Sequence, residues 1–154
     1  MELEQSHDIP LPVDVVWAAL NDPAILAQSI PGCQELNKIS ETELAAKVKL
    51  KIGPVSATFT GTVTLSDIDP PHSYVISGTG KGGVAGAASG SAHVQLEKLD
   101  GGNATCLSYK VDAAVTGKIA QLGSRLIEST AKKLATKFFD DFVCLVSPEK
   151  PEPS

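Results

Sequence analysis

AKVKLKIGPVSATFTGTVTLS, residues 46–66, alternates on both sides of a single break. Ala46, Val48, Leu50 and Ile52 interleave with Lys47, Lys49 and Lys51. After Gly53-Pro54, the set Val55, Ala57, Phe59, Gly61, Val63 and Leu65 interleaves with Ser56, Thr58, Thr60, Thr62, Thr64 and Ser66. Successive side chains of a strand point to opposite faces, so this pattern predicts two strands with one dry and one wet face. Gly-Pro is the punctuation between them.

The period of two continues outward from this pair. Asp69-Pro70-Pro71 reads as a turn and Ser73–Thr79 as a strand. Gly80–Ser89 reads as a glycine- and alanine-rich loop or bulged hairpin, and Ser91–Leu99 as a further strand. Asp100-Gly101-Gly102-Asn103 turns, and a last strand directs Thr105, Leu107, Tyr109, Val111, Ala113 and Val115 inward. Upstream, Gln34–Ile39 is a weakly patterned strand. Val13, Val16, Trp17 and Leu20 show helical spacing behind Pro12, which suits a first helical turn. Asp22 caps a second short helix that ends near Ser29 before Pro31-Gly32. Glu2–Ile9 is an opening strand.

Beyond Thr116-Gly117 the period becomes helical. Ile119, Leu122, Leu126, Thr130, Leu134, Phe138, Phe142 and Leu145 recur every three or four residues, opposite Glu128, Lys132, Lys133 and Lys137. The spacing predicts one long amphipathic helix with Gly123 inside it, where glycine costs about 1 kcal/mol relative to alanine. A sheet that is dry on one face needs a cover, and this helix has the matching stripe. The expected fold is α+β: a curved seven-stranded antiparallel sheet, two short helices after the first strand, and a long C-terminal helix gripped across the sheet. Residues 1–146 form that domain, and 147–154 read as a disordered, acidic, proline-rich tail.

The 154 residues suit one domain, with 42% hydrophobic and 20% charged residues. A net charge of −5 leaves no basic excess for nucleic acid. Cys33, Cys106 and Cys144 are separated and odd in number, which fits a reducing cytoplasm rather than a disulfide framework. The acidic start lacks signal-peptide order, and no apolar run approaches the roughly 20 residues that span a bilayer. Only seven residues are aromatic, and the inward positions include the small Ala46, Ala57, Gly61, Ala92 and Ala113. Small residues of this kind fit either a close sheet–helix contact or an apolar pocket between the two layers.

Four motifs carry a family resemblance. They are Pro31-Gly32-Cys33; Val48–Val55; Gly80-Lys81-Gly82-Gly83 with Gly86 and Gly90; and Gly117–Arg125. In that order they resemble the carbon monoxide dehydrogenase CoxG family of the START/Bet v 1-like superfamily, over about residues 1–145. The resemblance implies a non-catalytic accessory protein of a molybdenum hydroxylase, linking the enzyme to the membrane quinone pool. Its implied ligand is an apolar small molecule, a quinone or a lipid, with no covalently bound cofactor. The chain is then expected in the cytoplasm, or peripherally at the inner face of the membrane. Longer members continue into an anchoring segment, whereas this sequence ends in the acidic tail.

In the expected groove we place Leu50, Phe59, Gly61, Val63, Tyr74, Ile76, Val94, Leu107, Tyr109 and Val111 from the sheet, and Leu122, Gly123 and Leu126 from the helix. The mouth is expected at Gly53, Pro54, Gly80, Lys81, Gly82, Gly83, Gly117 and Arg125, with the glycine-rich loop as a movable lip. The Tyr74 and Tyr109 phenols face inward, where each could donate to a ligand carbonyl or reach the rim. Phenylalanine at Gly61 is expected to fill the groove without unsettling the fold. Vesicle contact is expected to be weak and salt-sensitive, through the helix lysines.

Catalytic and metal roles find no set of residues. Gly78–Gly83 matches GxGxxG but lacks the following helix that a dinucleotide site requires. His7, His72 and His93 lie in three elements; His93 alternates outward with Ser91 and Gln95, and solvated histidine rather than metal ligand is the default. Asp140 and Asp141 point apart on a helix. A ligand-free assembly factor with a closed groove is the second reading, and an enzyme acting on a bound lipid-like substrate the third.

Overall fold

The alternation at 46–66 becomes β3 (Glu43–Ile52) and β4 (Val55–Asp69), paired antiparallel with Ile52 opposite Val55. The computed structural model describes residues 1–147. Before this pair come β1 (Glu2–Ile9), α1 (Val13–Leu20), α2 (Pro23–Ser29) and β2 (Cys33–Ser40). After it come β5 (Ser73–Lys81), β6 (Ala87–Leu99), β7 (Ala104–Thr116) and α3 (Ser124–Val146). The seven strands form one sheet in the order β1-β7-β6-β5-β4-β3-β2. Every pairing is antiparallel. The helix-grip arrangement expected from the sequence is therefore the observed one. The tail expected from 147 onward lies, after Ser147, outside the described residues.

Local signals place the short elements. The Asp22 carboxylate accepts the Ala24 N–H at 3.0 Å, and Pro23 occupies the first turn of α2, where a missing N–H costs nothing. Two expectations are corrected. Of the loop or bulged hairpin expected over Gly80–Ser89, the hairpin is observed without the bulge: both ends are strand, with only 82–86 left between β5 and β6, tightened by a 3-10 turn at Gly83–Ala85. Ala85 is buried in this turn, and the Gly82 N–H donates to the Gly86 carbonyl at 2.8 Å.

The long helix is also interrupted. Gly117–Leu122 forms a 3-10 turn, and Gly123, at φ 95°, is a joint outside α3 rather than a residue within it. Apolar spacing runs unbroken across the joint because a 3-10 turn also returns a side chain to the same side every three residues. A positive φ, which glycine adopts without a Cβ penalty, marks where the chain swings from the last strand onto the sheet.

The core gathers at one end. Ile9, Val16, Leu107 and Phe142 are fully buried, joined by Leu3, Leu11, Val13, Leu20, Val94 and Leu96. Thr105 is also fully buried, and its hydroxyl donates to the Leu11 carbonyl at 2.7 Å. Phe142 carries the attachment of α3 and stacks on Phe138 at 5.7 Å. Leu145, expected on the same stripe, is instead 40% exposed, because it lies in the last turn, beyond the layer that buries Phe142.

Phe142→Ala should lower stability by about 3–5 kcal/mol, the range for emptying a buried aromatic site. Leu145→Ala should change it by less than about 1 kcal/mol, since little of its area leaves water on folding. Denaturant melts of the two variants check the pair.

Candidate functional site

The inward residues of β3 and β4 are not buried, although these strands lie inside the sheet order. Phe59, Gly61, Val63 and Leu65 are each only half-covered, as are Ala46, Val48, Leu50 and Ile52. They face open space between the sheet and α3. That space is two adjoining cavities of about 520 and 500 Å³. Ala46, Val48, Val63, Ile76, Ala92 and Ile30 line both, so the two are chambers of one groove.

The first chamber lies under the C-terminal half of α3. Of the expected ligand residues it takes Val63, Tyr74, Ile76, Val94, Leu107 and Tyr109. Its rim is polar, with Asn21 from the turn after α1 and Lys38, Glu41, Thr42 and Glu43 from the β2–β3 hairpin. Lys38 and Glu41 pair there at 3.5 Å. The second chamber takes Leu50, Phe59, Gly61 and Val111, with Gly80 from the expected mouth. Ile119 and Leu134 close it from the helical layer.

The remaining expected residues lie elsewhere. Leu122, Gly123 and Leu126 line neither chamber. Gly123 is in the joint, and Leu126 lies so close to the β3–β4 turn that a Cβ at Gly53 would sit 2.8 Å from its Cδ2. Gly53, Pro54, Lys81, Gly82, Gly83, Gly117 and Arg125 are likewise outside both linings. Gly82 backs onto the Phe59 ring, where a Cβ would lie 2.6 Å from Cε2, so this turn braces a wall of the chamber.

The Gly61 expectation is overturned as well. β4 and β5 approach so closely there that any Cβ would collide with the Thr79 carbonyl. Phenylalanine at Gly61 would therefore break the sheet whether or not the groove is open. The waist residue Ala92, which faces both chambers, is the position that can be filled.

The site residues missed in the sequence come from the inward faces of the strands, as with Val48, Ile52 and Leu65, and from the helices. Leu134, Ala135, Phe138 and Phe139 form the α3 wall, and Leu20, Leu26 and Ile30 form the wall around α2. Their signal was present: Leu134 and Phe138 continue the helical stripe, and Leu26 and Ile30 are four residues apart. The pinned end of α3 could not be told from the standing end by periodicity.

Two inward phenols have different partners. The Tyr109 hydroxyl donates to Gln5 Oε1 at 2.8 Å. Tyr74 is buried edge-on against Trp17, with ring centroids 5.2 Å apart. Its hydroxyl has no hydrogen-bond partner among the described residues. Burial holds the Tyr74 phenol well above its usual range, so it keeps its proton as a donor. Cys106, read as an ordinary strand residue, is half-buried in β7, and all three cysteines are free thiols. Among the described residues, no three of His, Cys, Asp and Glu gather as a metal site, and no helix is long and apolar enough to cross a membrane.

His7 departs from the solvated reading. β1 points Leu3, Gln5, His7 and Ile9 inward, and the His7 ring lies 4.4 Å from Phe139 and 5.9 Å from Tyr109. Its Nε2 is buried with no partner among the described residues. Desolvation lowers its pKa below 6.5, against an opposing pull from Asp140.

A family model described as CoxG, a carbon monoxide dehydrogenase subunit, matches residues 6–147. A conserved protein from Geobacillus kaustophilus superposes with a TM-score of 0.90 at 29% identity, covering 96% of this chain and 95% of that one. The ZhuI aromatase/cyclase of Streptomyces sp. R1128 gives a TM-score of 0.67 at 15% identity, covering 95% and 93%. Ara h 8.0201 gives 0.66 at 15%, covering 97% and 99%. At that identity the last two are likenesses of fold alone. A search of curated proteins returns no match to the chain.

The His7 environment sets a pH dependence. The folded pKa is lowered, so the unfolded chain binds the extra proton first, and stability falls as pH drops through 6.5. Melting temperatures between pH 8 and pH 5 should show this decline. His7→Phe, which keeps the ring stack and removes the titration, should flatten it.

Proposed function

This chain belongs to the carbon monoxide dehydrogenase CoxG family, and from that premise we propose that it is a non-catalytic carrier of an apolar, quinone- or lipid-like molecule, serving a molybdenum hydroxylase at the membrane quinone pool. The observation that carries the reading is the half-covered inner face of β3 and β4, which a ligand-free core would have buried. Open apolar surface between two layers costs stability that a bound apolar molecule restores, at roughly 25 cal/mol per Å² covered. The two chambers in series suit a molecule longer than it is wide.

Tyr74 supplies the polar handle. An unpaired donor in an apolar chamber favours a ligand that brings an acceptor, such as a quinone carbonyl or an ester oxygen. Tyr109 is already engaged with Gln5, so it contributes ring surface and shape. The link to a hydroxylase rests on family membership.

Extraction of the purified protein into organic solvent, followed by mass spectrometry, should recover an apolar molecule with an oxygen acceptor. Ala92→Phe should abolish binding of decylubiquinone while leaving the melting temperature near wild type. In a closed groove the same ring would overpack the core, at a cost of about 1–3 kcal/mol. Tyr74→Phe should weaken decylubiquinone binding by about 0.5–1.5 kcal/mol and leave an acceptor-free hydrocarbon probe unaffected. A protein with no extractable ligand, no decylubiquinone binding and a destabilised Ala92→Phe variant would be an interaction protein instead.

A further inference from the structure

The charges of this chain are segregated along the sheet. One backbone row runs Ala45–Thr62–Thr79–Ser89–Ala114. From that row to the joint before α3, segments 45–62, 79–89 and 114–127 contain six of the thirteen Lys and Arg and none of the eighteen Asp and Glu. A chain of net −5 thus carries +6 in these segments and −11 elsewhere. Lys47 pairs with Glu35 of the neighbouring strand at 3.9 Å. Lys49, Lys51, Lys81, Lys118 and Arg125 are exposed and have no ion-pair partner among the described residues.

These segments meet at one end of the molecule. Gly53 touches Leu126, beside Arg125, and a Cβ at Gly117 would lie 2.5 Å from Gly86 Cα, which brings Lys118 to the β5–β6 turn that follows Lys81. At the tip of this turn stands Val84, 85% exposed and flanked by glycine and alanine. An apolar tip with the unpaired Lys81 and Lys118 beside it, at an end whose segments carry no carboxylate, has the chemistry of a surface that meets anionic headgroups and dips one side chain among them.

We propose that this pole docks the protein on an anionic lipid surface, with Val84 foremost. The inference deepens the carrier reading and rests on it only for its purpose, since docking here turns the end holding Phe59, Gly80 and Ile119 of the second chamber towards the bilayer. It also relocates the expected membrane contact. Of the α3 lysines, Lys132 is held by Glu128 at 3.4 Å and Lys137 by Asp141 at 3.2 Å.

Sedimentation of the purified full chain with phosphatidylglycerol/phosphatidylcholine vesicles tests the proposal without any groove ligand, so it can fail while the decylubiquinone experiment succeeds, or the reverse. Binding should appear on anionic vesicles at low salt, be absent on pure phosphatidylcholine, and disappear at high salt. Lys81→Gln/Lys118→Gln should lower partitioning about 25-fold, roughly 5-fold per lysine. Val84→Ser should lower it further, and Lys132→Gln/Lys133→Gln should leave it unchanged. Equal binding to neutral vesicles, an equal loss in the α3 control, or no binding of the wild type to anionic vesicles would overturn it. So would a pole variant that keeps vesicle binding and loses an acidic protein partner.

Discussion

Phe142 is where α3 is fastened, and the groove depends on that attachment. A 23-residue helix is a rod of about 34 Å. Clamped near its C-terminal end by Phe142 against the cluster of Ile9, Val16 and Leu107, it crosses a curved sheet as a chord crosses an arc. At the clamped end the layers touch and side chains interdigitate. Between there and Leu126, which meets the β3–β4 turn at Gly53, the layers stand apart under Leu134, Ala135, Phe138 and Phe139, and that space is the pair of chambers. The same fact explains why buried residues concentrate on β1, α1, β6 and β7 while β3 and β4 have none.

Within this frame the polar groups divide into structural and available ones. Thr105 satisfies the carbonyl of Leu11, Tyr109 satisfies Gln5, and Ser29 caps its own helix turn at Ile25. Each removes a polar cost from the packed end. Tyr74 sits at the boundary between packed core and chamber, with its ring held by Trp17 and its hydroxyl unused. His7 is the counterpart on β1: an imidazole whose pKa burial lowers, in a cluster of three rings with Tyr109 and Phe139.

The electrostatics follow another logic. Net charge describes the chain as acidic, yet the field at any surface depends on which strands the sheet sets side by side. Antiparallel pairing folds three separate carboxylate-free segments onto one end, and the acidic residues are left along the remainder. The helix lysines, which read in sequence as a free basic face, largely pair with acids one turn away. On a helix that pairing is local and inexpensive; on the pole, Lys47 reaches Glu35, while Lys49, Lys51, Lys81, Lys118 and Arg125 have no ion-pair partner among the described residues.

Much of the fold was legible in the sequence, for a definite reason. Strand alternation, the Asp22 cap, the Gly53-Pro54 turn and the apolar stripe of α3 are all set by contacts within a few residues, and so are written locally. Ten of the thirteen expected groove residues do line it, because the parity of a strand determines which face a side chain takes. The rest needed tertiary structure. Whether Gly123 lay within a helix or at a joint depended on where the chain had to turn onto the sheet, and whether Gly61 could accept a side chain depended on how near β5 passes. Which half of α3 walls the groove depended on the clamp at Phe142. Those are distances between segments far apart in the chain, and they are set only when sheet curvature and helix rigidity act together.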